Sequence, residues 1–331
     1  MLNTWRIGAV LALASILGAC QLLPADSAGQ AQPTGHTHIT SQQLVHTYTL
    51  QEQFYVSPVL RAVKPSTRLG MMLDARDLVD LQIETQGIYE DGSLSSWIVL
   101  DLVWSENLSR VYRADFSRPV LGARIRVAQA NAPQFVFMDW TLTNPELPFE
   151  DDSTLLQAGA NQVRQGLEGY LENLGMIDRS TWGAAASSGC GYDVSKYRTA
   201  IHHTASPAGD AGNYDQRIRQ IQSYHINGNG WCDIGYHFLV TQDGQLWEGR
   251  PVSYQGAHVG GNNSGNAGIT MVGCFEPGAC DTSTFGPLTP SQESVDALAS
   301  LIAVLSSQFG FEIDSSTVKG HQDHPGASTA C

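Results

Sequence analysis

Charge is scarce in this chain, and positive charge is scarcest. Of 331 residues 15% are charged, with 18 Lys and Arg against 32 Asp and Glu, a formal net charge of −14. Binding a nucleic-acid backbone takes clustered cations, so this balance argues against a nucleic-acid partner. Long apolar runs are also missing: beyond residue 20 none approaches the roughly 20 residues that cross a bilayer. Internal repeats are absent as well. Apolar matter itself is not lacking. The chain is 42% hydrophobic and 8% aromatic, too rich for general disorder and long enough for two domains with cores of their own. The six Cys would at first suggest three disulfides in an oxidising compartment; their positions divide them differently.

Residues 1–19 read as an export signal. Arg6 is the only charged side chain in the first twenty, and Ile7 to Ala19 forms an apolar run of signal-peptide length. It ends in Leu17-Gly18-Ala19-Cys20, which resembles a bacterial lipobox, implying that Cys20 is acylated and anchors the chain to a membrane without a spanning helix. Gln21 follows where Asp would retain an inner-membrane protein. By resemblance to Gram-negative lipoproteins, this implies the outer membrane, facing the periplasm. Residues 20–45 are expected to be the lipidated Cys and a flexible tether, with His36 and His38 as solvated tether residues.

Residues 46–145 are expected to form a small all-β sandwich. Val79, Leu81 and Ile83 alternate with polar residues, Asp91-Gly92 marks a turn, and Trp97–Leu100, Ala123–Val127 and Phe135–Trp140 are short strand candidates. Residues 146–176 are a helical linker. Asp152-Ser153 can cap a helix with Leu155, Leu156, Val163, Leu167, Tyr170, Leu171 and Leu174 on its apolar positions, and Gly175 stops it. From 177 to 331 strands and helices mix, giving an α+β (mixed α/β) domain with a central mixed sheet flanked by helices. Tyr197–His202, Tyr236–Thr241, Gln245–Glu248 and Gly268–Gly273 are its strand candidates, and Tyr214, Ile218, Ile221 and His225 mark a helix face. Thr289-Pro290-Ser291-Gln292 predicts a helix start with Pro at its first position, and Gly310 its end.

Chemistry gathers in three places: Ile201-His202-His203-Thr204-Ala205, Gly230-Trp231-Cys232-Asp233-Ile234-Gly235-Tyr236-His237-Phe238, and Gly320-His321-Gln322-Asp323 leading to Thr329-Ala330-Cys331. Imidazole and thiolate are good zinc ligands, and three of them with an open fourth position make a catalytic set. The long separation between the His pair and the terminal His and Cys is unlike a zinc finger and suits strand ends that converge in a folded domain.

Together with Arg179-Ser180-Thr181-Trp182-Gly183-Ala184, Glu248-Gly249-Arg250 and Gly256-Ala257-His258-Val259-Gly260-Gly261-Asn262, these segments resemble the peptidoglycan recognition proteins, or type 2 N-acetylmuramoyl-L-alanine amidases. The resemblance covers about residues 177–331. It implies a Zn²⁺ cofactor on His202, His321 and Cys331, with Tyr236 and Thr329 as catalytic neighbours. It also implies a peptidoglycan (muramyl peptide) substrate cut between N-acetylmuramic acid and L-alanine. Members that only bind the wall typically lack one of the ligands, notably the Cys, and this chain keeps all three. A peptidoglycan-binding lipoprotein without turnover is the alternative. His203, Tyr224, Arg250, His258 and Asn262 are candidate substrate-binding residues, although in a strand His203 faces away from His202 and each of the others has a structural reading. The weak likeness of 46–145 to modules upstream of such amidases suggests a wall-binding or spacer role. The oligomeric state is not legible.

Two departures stand out. The stretch between His321 and Cys331 is about two residues longer than is common in the family, within His324-Pro325-Gly326-Ala327-Ser328, which a loop absorbs cheaply; His324 thereby becomes a rival ligand. Members also usually continue past this Cys, so either the sequence is a fragment or a terminal carboxylate sits beside the ligand thiolate; both readings stay open. Of the remaining cysteines, Cys274 and Cys280 close a short loop and are expected to pair, leaving Cys190 with Cys232; the two crossed pairings stay open.

Overall fold

The computed structural model describes residues 36–78, 80–146, 154–208, 212–276, 278, 280–327 and 331. The signal segment, Cys20, the Asp152-Ser153 cap and Thr329 lie outside them. The chain folds as two compact units. One holds the described residues of Asp26–Glu146 together with Gln216–Trp231, and the other those of Leu147–Asp215 and Cys232–Cys331. The β unit therefore takes in a segment that the sequence reading gave wholly to the second domain.

The β unit begins earlier than expected. His36–Thr40 is a strand (β1), and Ser41–Thr47 a short helix (α1). Thr40 caps α1: its hydroxyl accepts from the Gln43 backbone N–H at 3.2 Å, and the Gln43 side chain accepts from the Thr40 N–H at 2.9 Å. Residues 36–45 are thus not tether. Ile39 and Leu44 bury themselves in the core, and the apolar burial outweighs the entropy of a free segment. His38 is half-buried within the strand rather than solvated.

Eight further strands follow: β2 Thr49–Gln51, β3 Phe54–Val56, β4 Leu60–Ala75, β5 Ile83–Tyr89, β6 Ile98–Val99, β7 Asp101–Glu106, β8 Ser109–Ala128 and β9 Phe135–Thr143. The all-β part of the sandwich expectation holds, but the described strands belong to one sheet and not to two. The strands join in a single hydrogen-bonded network, β1-β9-β4-β8-β3-β2, with β5 and β7 added along β8 and β6 along β5. The long strands are kept in one network by register shifts, as between Arg61 and Ser66 and between Leu102 and Trp104. Leu69, Met71 and Leu73 alternate toward a core shared with Val120, Ile125, Phe135 and Trp140. Val79, offered as a strand residue, lies outside the described residues, and Leu81 precedes β5.

The second unit opens with helix α2, Thr154–Asn173, which ends before Gly175 at φ 69°. Strand β10 is Arg198–His203, and Tyr214–Ser223 is helix α3, followed by a π-type turn at Tyr224–Gly228. Both of these run largely within the β unit. Next come β11 Phe238–Val240, β12 Leu246–Glu248, β13 Asn266–Met271, the short α4 Thr282–Phe285, α5 Gln292–Phe309 and β14 Val318–Gly320. The sheet order is β12-β11-β13-β10-β14, parallel except for the β11–β12 hairpin, so the sheet is mixed as expected. Helix α5 starts two residues later than predicted. Ser291, not Thr289, is the cap, its hydroxyl accepting from the Ser294 N–H at 3.0 Å. Pro290 therefore lies outside the helix rather than at its first position. Leu298, Leu301, Ile302 and Leu305 of α5 and Leu167 of α2 pack on Ile201, Phe238 and Ile269 of the sheet. Cys190 is bonded to Cys232 and Cys274 to Cys280, the pairing set out above. Among the described residues no helix is long and apolar enough to cross a membrane.

Candidate metal centre

Parity along β10 builds the site. Ile201 enters the core shared with α5, so His202, one residue on, faces the other side of the sheet, and His203 turns back toward the first. His202 lies opposite Thr270 of β13. His321 directly follows β14, the other neighbour of β10. Parallel strands thus deliver the two imidazoles at the same, C-terminal end of the sheet, with ring centroids 4.7 Å apart. Cys331 joins them: ligand atoms of His202, His321 and Cys331 all lie within 4.8 Å of one another. The His203 backbone N–H donates to Cys331 Sγ at 3.2 Å, and the Gln322 N–H donates to the Cys331 carbonyl at 2.7 Å. Both bonds seat the chain end beside β10, and the first favours a thiolate.

The donor set fits zinc. It has two imidazoles, a sulfur and no carboxylate, the borderline-soft combination that zinc takes and that magnesium or calcium does not. Burial, with the neighbouring His321 and His258 adding to it, holds the His202 pKa well below the usual histidine value. A neutral imidazole is the ligating form.

The other predicted residues divide. Tyr236 is half-buried with its ring 5.3 Å from that of His202, beside the donor set. His258 does not line an open groove. It is 7% exposed, and its Nδ1 is 3.0 Å from His202 Nε2. Arg250 is buried at 2% exposure, and its guanidinium donates to the carbonyls of Ile234 (2.8 Å), Gln255 (2.7 Å) and Asp233 (3.0 Å). Its donors brace three loop carbonyls, which supports the structural reading of Arg250 over a substrate-binding one. Asn262 donates from Nδ2 to the Pro325 carbonyl at 3.0 Å and so holds the loop before Cys331. His203 Nδ1 accepts from the Phe275 N–H at 2.9 Å, and the two rings stack. Tyr224 belongs to the β unit, where it is 5% exposed and stacks on His225, which leaves little ring to meet substrate. His324, the rival ligand, stays outside the three-donor group. It is 3% exposed with no hydrogen-bond partner on either nitrogen, and burial, with Arg198 and Lys319, lowers its pKa.

Sequence reasoning passed over His237. It is fully buried; Nδ1 accepts from the Gly268 N–H at 2.9 Å, and Nε2 lies 3.0 Å from the Tyr254 carbonyl. No periodicity marks such a residue. The one available signal was its place within the Tyr236-His237-Phe238 segment. Two other motif residues turn out to be braces: Arg179 pairs with buried Asp233 at 3.0 Å, and the Trp182 indole donates to the Glu248 carbonyl at 2.9 Å.

Residues 198–331 match the family described as N-acetylmuramoyl-L-alanine amidase. Peptidoglycan recognition protein 1 of Mus musculus is 32% identical over 152 residues, which cover 45% of this chain and 77% of the mouse protein. The chain belongs to the peptidoglycan recognition protein and N-acetylmuramoyl-L-alanine amidase family. Two further relatives align over smaller shares. Peptidoglycan-recognition protein SD of Drosophila simulans is 32% identical over 130 residues, 38% of this chain and 64% of the fly protein. The N-acetylmuramoyl-L-alanine amidase of Homo sapiens is 35% identical over 126 residues, 37% of this chain but 22% of the human protein. The chain thus spans less than two thirds of the fly and human relatives, and within this family the match falls on the unit that holds His202, His321 and Cys331.

Proposed function

We propose that this chain is a zinc-dependent N-acetylmuramoyl-L-alanine amidase that acts on peptidoglycan and is held at the outer membrane, facing the periplasm, by lipid on Cys20. The observation that carries the reading is the complete donor set of His202, His321 and Cys331 within 4.8 Å. Zinc there would supply Lewis acidity and bring the pKa of a water toward neutrality, the means of attacking an unreactive amide at physiological pH. The chain's own residues do the rest. His202, His321 and Cys331 would hold the metal. The Tyr236 phenol, beside His202, donates a hydrogen bond to the scissile carbonyl oxygen and stabilises the charge that develops on it. Thr329, outside the described residues, is a weaker positioning group; a hydroxyl is no strong base. The anchor reading rests on Leu17-Gly18-Ala19-Cys20.

Zinc-loaded full-length protein given muropeptides should release free stem peptide, seen by mass spectrometry, and chelation should stop it. Wall binding without that product, by protein shown to carry zinc, would replace the amidase reading with the non-catalytic one. Cys20→Ala should move the protein from the membrane to the soluble periplasmic fraction. An unchanged membrane fraction would refute the anchor.

A further inference from the structure

The histidine behind His202 has its hydrogen bonds fixed by backbone. His258 Nε2 lies 3.2 Å from the Asn266 carbonyl oxygen. A carbonyl only accepts, so Nε2 carries the proton and Nδ1 of the neutral ring is an acceptor. That Nδ1 faces His202 Nε2 at 3.0 Å, so His202 Nε2 must donate. The only unprotonated nitrogen left on His202 is then Nδ1. A half-turn flip of the His258 ring would set carbon against both partners and lose both hydrogen bonds. A Cβ at Gly256 would come within 2.4 Å of its Cδ2, and one at Gly268 within 2.5 Å. The two glycines leave the room that the imidazole fills, and the His237 ring stands edge-on to it at 5.7 Å. The Val259 and His258 backbone N–H groups both donate to Asn263 Oδ1, at 2.7 and 2.9 Å, which fixes the loop carrying the ring.

We propose that His258 is a positioning residue that locks the tautomer of His202 and thereby presents His202 Nδ1 to the metal. The inference deepens the zinc reading and rests on it. It also replaces the substrate-binding role first considered for His258. A carbonyl, a histidine and a ligand histidine in series are an outer-shell relay of the kind that orients a metal-binding imidazole and raises its basicity.

The test separates the lock from the activity. Imidazole nitrogen NMR of the metal-free full chain should find His202 protonated on Nε2, with Nδ1 changing its shift when zinc is added. His258→Leu keeps the branch at Cγ but removes the acceptor. It should weaken zinc binding, read by competition with a chromophoric chelator, by about 10–100-fold. His258→Asn returns an acceptor oxygen near the place of Nδ1 and should recover part of that loss, which a merely space-filling role would not predict. His202 protonated on Nδ1 in the metal-free chain would overturn the inference whatever the zinc result, and so would wild-type zinc affinity in folded His258→Leu. If His258→Leu does not fold, the wild-type spectrum and His258→Asn decide. A wild-type chain with the expected tautomer that takes up no zinc would instead overturn the zinc reading and, with it, the role of the lock.

Discussion

At the scale of single residues, the candidate metal donors stand apart from the groups that brace the loops around them. Arg250 is the clearest case. A buried guanidinium spread over three carbonyls makes charge-assisted bonds, each worth roughly 1.5–3 kcal/mol. Arg250→Lys cannot reproduce the fork and should cost about 3 kcal/mol in chemical denaturation. Muropeptide affinity of the folded fraction should stay unchanged; a selective loss of affinity would restore the substrate role. His237 gives a pH prediction. Burial, with Lys196 and His258 adding to it, holds its pKa well below the usual 6.5, so the folded state stays neutral where the unfolded chain takes up a proton. Stability is therefore full above about pH 6.5 and falls as the pH drops below it, by up to about 1.4 kcal/mol per unit for this group. Urea melts of the metal-free protein from neutral to acid pH should show the fall, and His237→Gln should make it shallower.

At the scale of elements, caps and strand ends decide where side chains point. Ser291 and Gly310, the latter at φ 73°, bracket α5, the helix that covers the face of the sheet opposite His202. Ser291→Ala should lower stability by about 1 kcal/mol, measurable by thermal melting, with little change in zinc affinity because the helix does not touch the donors. Gly268 makes the opposite case: it sits within a buried strand at the price of packing, and Ala there would push on the His258 ring. The strand pattern around His202 and the α5 periodicity were legible in the sequence. The exact cap was not, because Thr289 and Ser291 are both good capping residues. What chose Ser291 was tertiary: its N–H donates to the Gln242 side chain at 2.9 Å, forty-nine residues away.

At the scale of the whole molecule, the division of the chain was only partly legible. The change from strand alternation to mixed pattern gave the main boundary, but not the allegiance of Gln216–Trp231. Within the β unit, Arg217 forms a bidentate pair with Asp74, its Nη2 at 2.6 Å from Oδ2, both side chains mostly buried. Arg219 meets Glu106 in a two-bond fork at 2.7 and 2.8 Å, and Gln220 donates to the Leu73 carbonyl at 3.1 Å. Asp74→Ala leaves a buried guanidinium without its carboxylate and should cost about 3–5 kcal/mol. Asp74→Ala with Arg217→Met should recover much of this, a comparison made by denaturant titration. Losses of Asp74→Ala and Arg217→Met that simply add in the double variant would show that the pair is not coupled. The tether reading failed over 36–45 for a similar reason: a short polar-looking stretch gave no local sign that Ile39 and Leu44 complete a distant core.

The sequence by itself determined the donor types and their order along the chain, because metal chemistry restricts which side chains can serve and the motifs surround them. It also determined the two facings of His202 and His203, since strand parity is a local property. Only the tertiary structure decided which of the polar residues nearby touch the three candidate donors. His258 and Arg250 look alike in sequence, as polar side chains in Gly-rich segments. One stands against His202 and the other against loop carbonyls, because strand order and loop closure, rather than composition, set the distances over which hydrogen bonds form.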